Sequence, residues 1–173
     1  MAVRKPQDGG LKCFPPVADR DAKILILGSM PGKASLGANE YYAHKRNQFW
    51  PIMGELFGAT PDLPYEQRLA KLKQSGIALW DVIERCERRT SLDSDIKNEI
   101  PNDLETFLQA CSGIDLICFN GKKAESSLHG HFPVLIAAAR HRFALLPSTS
   151  PAHAGMTFEM KLERWKAVII PPP

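Results

Sequence analysis

The chain is 173 residues long, 44% hydrophobic and 24% charged, with a formal net charge of +3. That length suits one domain with a buried core, and the composition excludes disordered and fibrous classes. So mild a charge does not by itself announce nucleic acid, no apolar run is long enough for a membrane span, and Met1 to Gly10 lacks the apolar segment of a secretory leader, so a cytoplasmic protein is expected.

The first strong element is Ile24 to Leu27, four apolar residues in a row that suit a central parallel strand covered on both faces. It empties into Gly28-Ser29-Met30-Pro31-Gly32, where glycine and proline end the strand and bring bare backbone against whatever binds. A polar, aromatic-flanked loop follows from Tyr41 to Gln48. Phe49, Ile52, Met53, Leu56 and Phe57 then fall at helical spacing, with Phe49 and Trp50 assigned to the core. Tyr65 to Gln74 is a second expected helix, and Ile77 to Trp80 a second strand ending at Asp81. The runs His44 to Arg46 and Arg85 to Arg89 are of the kind that form solvated faces.

Pro101-Asn102-Asp103 is a helix start signal ahead of Leu104, Phe107, Leu108 and Cys111. Ile114 to Phe119 is the third strand, closing on Asn120-Gly121, with a helix expected over Lys122 to Leu128. Val134 to Ala137 reads either as a short edge strand or as a lead-in to the fourth strand, Phe143 to Leu146. That strand runs into Pro147-Ser148-Thr149-Ser150-Pro151, before a helix over Thr157 to Val168 and a biased Pro171 to Pro173 tail. Alternating strands and helices imply an α/β fold with a parallel sheet, right-handed crossovers and a binding cleft at the carboxyl ends of the strands. Cys13, Cys86, Cys111 and Cys118 show neither CxxC pairing nor histidines at zinc spacing, so they are expected to be buried free thiols, with no metal.

The first loop lacks GxGxxG and GxxxxGK[ST], so dinucleotide and P-loop readings fail, and the lack of a GxSxG elbow weakens an α/β-hydrolase reading. Gly28-Ser-Met-Pro-Gly32 with His44-Lys-Arg-Asn47-Gln-Phe-Trp50, and Leu146-Pro-Ser148-Thr-Ser150-Pro-Ala-His153, together resemble the two motifs of the uracil-DNA glycosylase superfamily, most closely its hypoxanthine-DNA glycosylase branch. The resemblance runs from Ile24 to about Thr157. It implies a three-layer α/β/α domain with a central four-stranded parallel sheet, acting as a monomer on damaged DNA in the cytoplasm alongside the nucleoid, without metal or cofactor. Such an enzyme flips a deaminated nucleotide from the duplex and hydrolyses its glycosidic bond.

Under this resemblance Tyr42 stacks on the base; the plain alternative, for Tyr41 as well, is a surface or core tyrosine. Asp81 stands where uracil-specific relatives carry a base-reading asparagine. Ionised it accepts only, which suits an imide or lactam N–H; protonated it also donates. Its alternative is a helix-capping aspartate. Gly28 and Ser29 complete the base-binding wall. Met30 is the main departure, because many relatives place there an acid or amide that orients the attacking water. Asn47 is expected to take over that task, or else to cap the helix beginning near Gln48; the two are compatible. Backbone N–H groups near Met30, and Ser148 in place of a histidine, are expected to hold the departing base anion. Thr149, Ser150 and Lys122 are expected to grip phosphates, and His153 to Met156 to wedge into the vacated stack; plain turns are the alternative. Two rival functions stay open: a catalytically silent damaged-DNA-binding module, motivated by Met30, and a flavodoxin-like small-molecule binder.

Overall fold

In the computed structural model of the chain, which describes residues 10–170, a short strand β1 (Leu11–Lys12) precedes β2 (Ile24–Gly28), the strand that runs through the centre of the molecule. The expectations for Met1 to Gly9 and for the Pro171 to Pro173 tail lie outside the described residues. Helices α1 (Lys33–Ala38), α2 (Phe49–Phe57) and α3 (Tyr65–Gln74) follow β2, then β3 (Ile77–Asp81), β4 (Ile83–Glu87) and β5 (Lys97–Pro101). The remainder is α4 (Leu104–Ala110), β6 (Leu116–Asn120), α5 (Lys122–His131), α6 (Pro133–Ala137), β7 (Arg142–Leu146) and α7 (Phe158–Ile169).

Four strands form an all-parallel sheet in the order β3-β2-β6-β7. Side chains alternate across a strand, so Ile26 joins a core layer under α2, α3 and α7, with Phe49, Ile52, Met53, Leu72 and Trp165. Leu25 and Leu27 point the other way, against Leu104 and Leu108 of α4 and Leu128 of α5. Both faces of β2 are therefore dry, which is why its sequence shows an apolar run instead of an alternation. The expected three-layer α/β/α architecture is the one observed, and the four cysteines are buried free thiols. Among the described residues no helix is long and apolar enough to cross a membrane.

Three features depart from expectation. A second, antiparallel sheet of order β1-β4-β5 caps one end of the molecule, with Ile83 and Cys86 of β4 meeting Cys13 and Met30 in a small third core. The Arg85 to Arg89 run is not simply a solvated face: Arg88 is half-buried and donates to the main-chain carbonyls of Met30 and Pro31. Val134 to Ala137 is neither strand nor lead-in but helix, because Pro133 at its first position presets helical φ.

Helix α7 is tied to the end of β7 by fully buried Trp165, whose indole N–H donates to the Pro147 carbonyl at 3.0 Å. Replacing Trp165 by Phe keeps most of the apolar contact and leaves that carbonyl unpaired. The expected cost is about 1–3 kcal/mol, read as a lower urea midpoint at unchanged slope.

Candidate active site

The four parallel strands deliver Gly28, Asp81, Asn120 and Leu146 to one edge of the sheet, where a cavity of about 770 Å³ opens. Gly28 and Asp81 are partners in the β2–β3 register, and the pairing continues past it: Val82 N–H donates to Gly28 O and Ile83 N–H to Ser29 O. A methyl group on residue 28 would lie 2.5 Å from Asp81 Oδ1 and 3.0 Å from Tyr42 Oη. Only glycine fits, and its bare backbone is what lets the carboxyl and the phenol close over the strand end.

Asp81 is 3% exposed, and its Oδ2 has no hydrogen-bond partner. Burial, reinforced by the charge of Asp93 and opposed by that of Arg88, pushes its pKa up to about 7. The helix-cap alternative for Asp81 is excluded, since β3 passes directly into β4 and Asn102 Nδ2 holds the Asp81 carbonyl at 2.8 Å.

Tyr42 adopts φ 55°, a left-handed conformation that costs a bulky residue about 1–3 kcal/mol. It is held there by stacking on Phe49, ring centroids 4.0 Å apart at 25°. Burial first, then the Asp81 charge, keeps the phenol protonated. Phe49 thus covers one face of the Tyr42 ring while Tyr42 lines the cavity. Tyr41 is core: its hydroxyl donates to Pro15 O and its carbonyl accepts the Trp50 indole N–H.

Asn47 borders the same cavity, and its Oδ1 accepts from Phe49 N–H at 2.9 Å, a turn that leads into α2 from one residue ahead of the cap position, which Gln48 occupies. That bond commits the carbonyl side of the amide and leaves Nδ2 for the cavity. Met30 contributes to the wall, but its side chain is buried among Cys13, Ile83 and Cys86, an anchor for the loop. Ser29 does not offer a free hydroxyl: Oγ donates to Asp93 Oδ1 at 2.7 Å.

The second loop is shaped by Asn120. Its Oδ1 accepts from Thr149 N–H and its Nδ2 donates to Thr149 Oγ1, both at 2.9 Å. Thr149 is 1% exposed, so contrary to expectation its side chain is spent inside the loop and is not available to a phosphate. Ser148 Oγ accepts from Ser150 N–H, and Ser150 Oγ from Ala152 N–H; both serines line the cavity. Exposed Lys122 opens α5 at the rim, beside Gly121 at φ 94°. His153 is exposed, and its carbonyl is held by buried Lys161 Nζ at 2.8 Å, which ties the 151–156 segment to α7.

Several lining residues had not been singled out from the sequence. The segment from Arg88 to Asp95 folds over the first loop, Ser91 Oγ accepting from Lys33 N–H, and supplies Ser91, Leu92, Asp93 and Ser94 to the wall. Arg164 reaches the rim from α7. Only the polar Thr90-Ser-Leu-Asp-Ser-Asp string hinted at a loop there, and nothing local hinted at its destination.

The raised pKa of Asp81 has a signed consequence for stability. The folded state holds the proton up to about pH 7 whereas the unfolded chain releases it near the ordinary value of 3.8, so this group's contribution is lost as pH rises between the two and is constant above. Asp81→Asn removes the buried charge at nearly equal shape. We expect it to be more stable than wild type at pH 8, by at most about 4 kcal/mol, with the gain gone by pH 4, as measured by denaturant titration at each pH.

The uracil DNA glycosylase superfamily model matches residues 15–170. A protein of Methanosarcina acetivorans named hypoxanthine DNA glycosylase is 36% identical over 156 residues, covering 90% of this chain and 95% of its own. A protein of the same name from Methanosarcina barkeri is 36% identical over 141 residues, covering 81% and 86%. The solution NMR structure of a Methanosarcina acetivorans protein, described provisionally as a uracil DNA glycosylase, superposes with a TM-score of 0.77 at 34% identity, over 92% of this chain and 96% of that one. With a family match that spans the whole sheet and both cavity loops, the chain belongs to the uracil DNA glycosylase superfamily.

Proposed function

We propose that the protein is a monomeric DNA glycosylase that hydrolyses the N-glycosidic bond of deaminated bases, hypoxanthine first and uracil or xanthine second, leaving an abasic site. The observation that carries this reading is the cavity itself. An aromatic ring backed by Phe49 and a buried carboxyl with one unpartnered oxygen face a space large enough for a flipped nucleotide. The names of the two Methanosarcina relatives support hypoxanthine as the leading substrate. The cytoplasm, alongside the nucleoid, is the setting that this substrate implies.

In this reading the extruded base lies against Tyr42, with its lactam N–H toward Asp81. Asn47 orients the attacking water by donating from Nδ2, its carbonyl being engaged by Phe49. As the bond to the sugar breaks, the electron pair leaves with the base, and main-chain N–H groups of the Gly28 to Gly32 loop and the Ser148 hydroxyl stabilise that anion. Hypoxanthine and uracil leave as tolerably stable anions, adenine does not, so leaving ability and edge recognition select the same substrates. Ser150, Lys122 and His153 hold the flanking strand, and the 153–156 segment fills the gap in the stack.

The test is excision from duplexes carrying deoxyinosine or deoxyuridine, with abasic sites revealed by alkali. Wild type is expected to cut both, deoxyinosine faster. Asn47→Ala should lose about 10²-fold or more, while Met30→Leu, a volume-conserving change in a buried anchor, should keep most of the rate. No scission at any deaminated base, together with salt-sensitive binding to damaged DNA, would instead favour the silent binding module that the apolar residue 30 suggests.

A further inference from the structure

Resting on the glycosidase reading above, one task is left without a residue. A water attacking the sugar must give up a proton, and the sugar carbon gains positive charge as the base departs. Asn47 can orient the water but an amide does not take its proton, and the Met30 thioether is buried in an apolar cluster. A carboxylate beside the first loop comes from elsewhere in the chain. Asp93 lies 64 residues from Ser29 in sequence, and its Oδ1 is 2.7 Å from Ser29 Oγ, directly before residue 30.

Asp93 is not a waving loop tip. Arg88 clamps the start of its segment to the carbonyls of Met30 and Pro31, Ser91 Oγ accepts from Lys33 N–H at 3.0 Å, and Leu92 N–H donates to Thr90 Oγ1 at 3.0 Å. A 3-10 turn over Asp93–Asp95 follows at once. Ser29 engages one carboxylate oxygen, Oδ1, and Asp93 lines the cavity together with Asp81, Tyr42 and Asn47. The Asp93 charge is felt across that space at both Asp81 and Tyr42.

We propose that Asp93 is a catalytic residue of the hydrolysis: its carboxylate, held by Ser29, accepts a proton from the attacking water and faces the sugar carbon as positive charge develops there. The step balances without a further reagent. The water oxygen bonds to C1′, the electron pair of the C1′–N bond leaves with the base, one water proton passes to Asp93, and the base takes a proton from the Asp81 carboxyl or from solvent. Asp93 returns its proton to solvent on product release. The two carboxyls have opposite settings, Asp93 exposed and Asp81 buried with an unpartnered oxygen. The charges that bear on Asp81 are those of Asp93 and Arg88.

Single-turnover excision of hypoxanthine by the full chain tests this. Asp93→Asn should lower the rate about 10²-fold or more, with DNA affinity equal or tighter because a negative charge is removed, and with unchanged thermal midpoint. Asp93→Glu should recover part of the activity. Ser29→Ala, which only releases the carboxylate, should fall less. An Asp93→Asn rate within about threefold of wild type, or a loss matched by falling stability and DNA affinity and not recovered by glutamate, overturns the inference while leaving the glycosylase reading intact. A wild-type protein that releases no base overturns both.

Discussion

The site depends on one close approach: the Asp81 carboxyl and the Tyr42 hydroxyl both pack against a residue that has no side chain. Parallel pairing puts Gly28 opposite Asp81, and the absence of a Cβ lets the carboxyl lie over the strand where solvent would otherwise enter. Desolvation then raises the Asp81 pKa toward neutrality, and the same contact fixes the ring on which a base would rest. A packing fact in the middle of the sheet thereby becomes an electrostatic one at its edge. A larger residue at position 28 would move both groups outward, rehydrate the carboxyl and return it to an ordinary acid.

The loops around this point hold their shape by side chains instead of by strand pairing. Beyond a strand end, backbone N–H and C=O groups lose their ladder partners and must find others. Asn120 answers for Thr149 with both ends of its amide, Arg88 for Met30 and Pro31, Trp165 for Pro147, and Lys161 for His153. Each anchor sits on a strand end or helix that the core already fixes. The cavity walls are therefore set before any ligand arrives, which is the condition under which fixed dipoles contribute most to a developing charge.

What was legible in the sequence followed from burial. Ile24 to Leu27 and Ile77 to Trp80 stand out because strands covered on both faces must be apolar throughout, and Tyr65 to Gln74 because its apolar residues keep one helical face. β4 was hidden because Ile83-Glu-Arg-Cys-Glu87 buries only Ile83 and Cys86 and carries a bulge between them, so no period of two survives. Val134 to Ala137 is too short for periodicity to decide between strand and helix. The two motif loops were visible because their residues are contiguous. Asp93 was not, since its meaning lies in Ser29 and Asp81, which only the folding of the 88–95 segment over the first loop brings near. Thr149 misled for a related reason: a hydroxyl in a polar string reads as available until its partner, Asn120, is seen.

The placement of charge bears on why an apolar residue is tolerable at position 30. Lys33, Lys122 and Arg164 line the outer part of the cavity as exposed cations, whereas its carboxyls, Asp81 and Asp93, belong to the strand end and to the loop beside it. A nucleic acid presents phosphates outward and sugar and base inward, so cations at the rim meet anions while a carboxylate within meets the sugar as it becomes positive. The departing base, however, becomes negative, and an ionised carboxylate against it would oppose the reaction. Asp81, beside the base in the proposed pose, is the group that burial drives toward its neutral form. Met30, on the loop after β2, carries no charge at all and fills a dry pocket. In the proposed mechanism the negative charge comes from Asp93, held by Ser29 on a separate segment, so the attraction for the developing sugar cation would not depend on a carboxylate at residue 30.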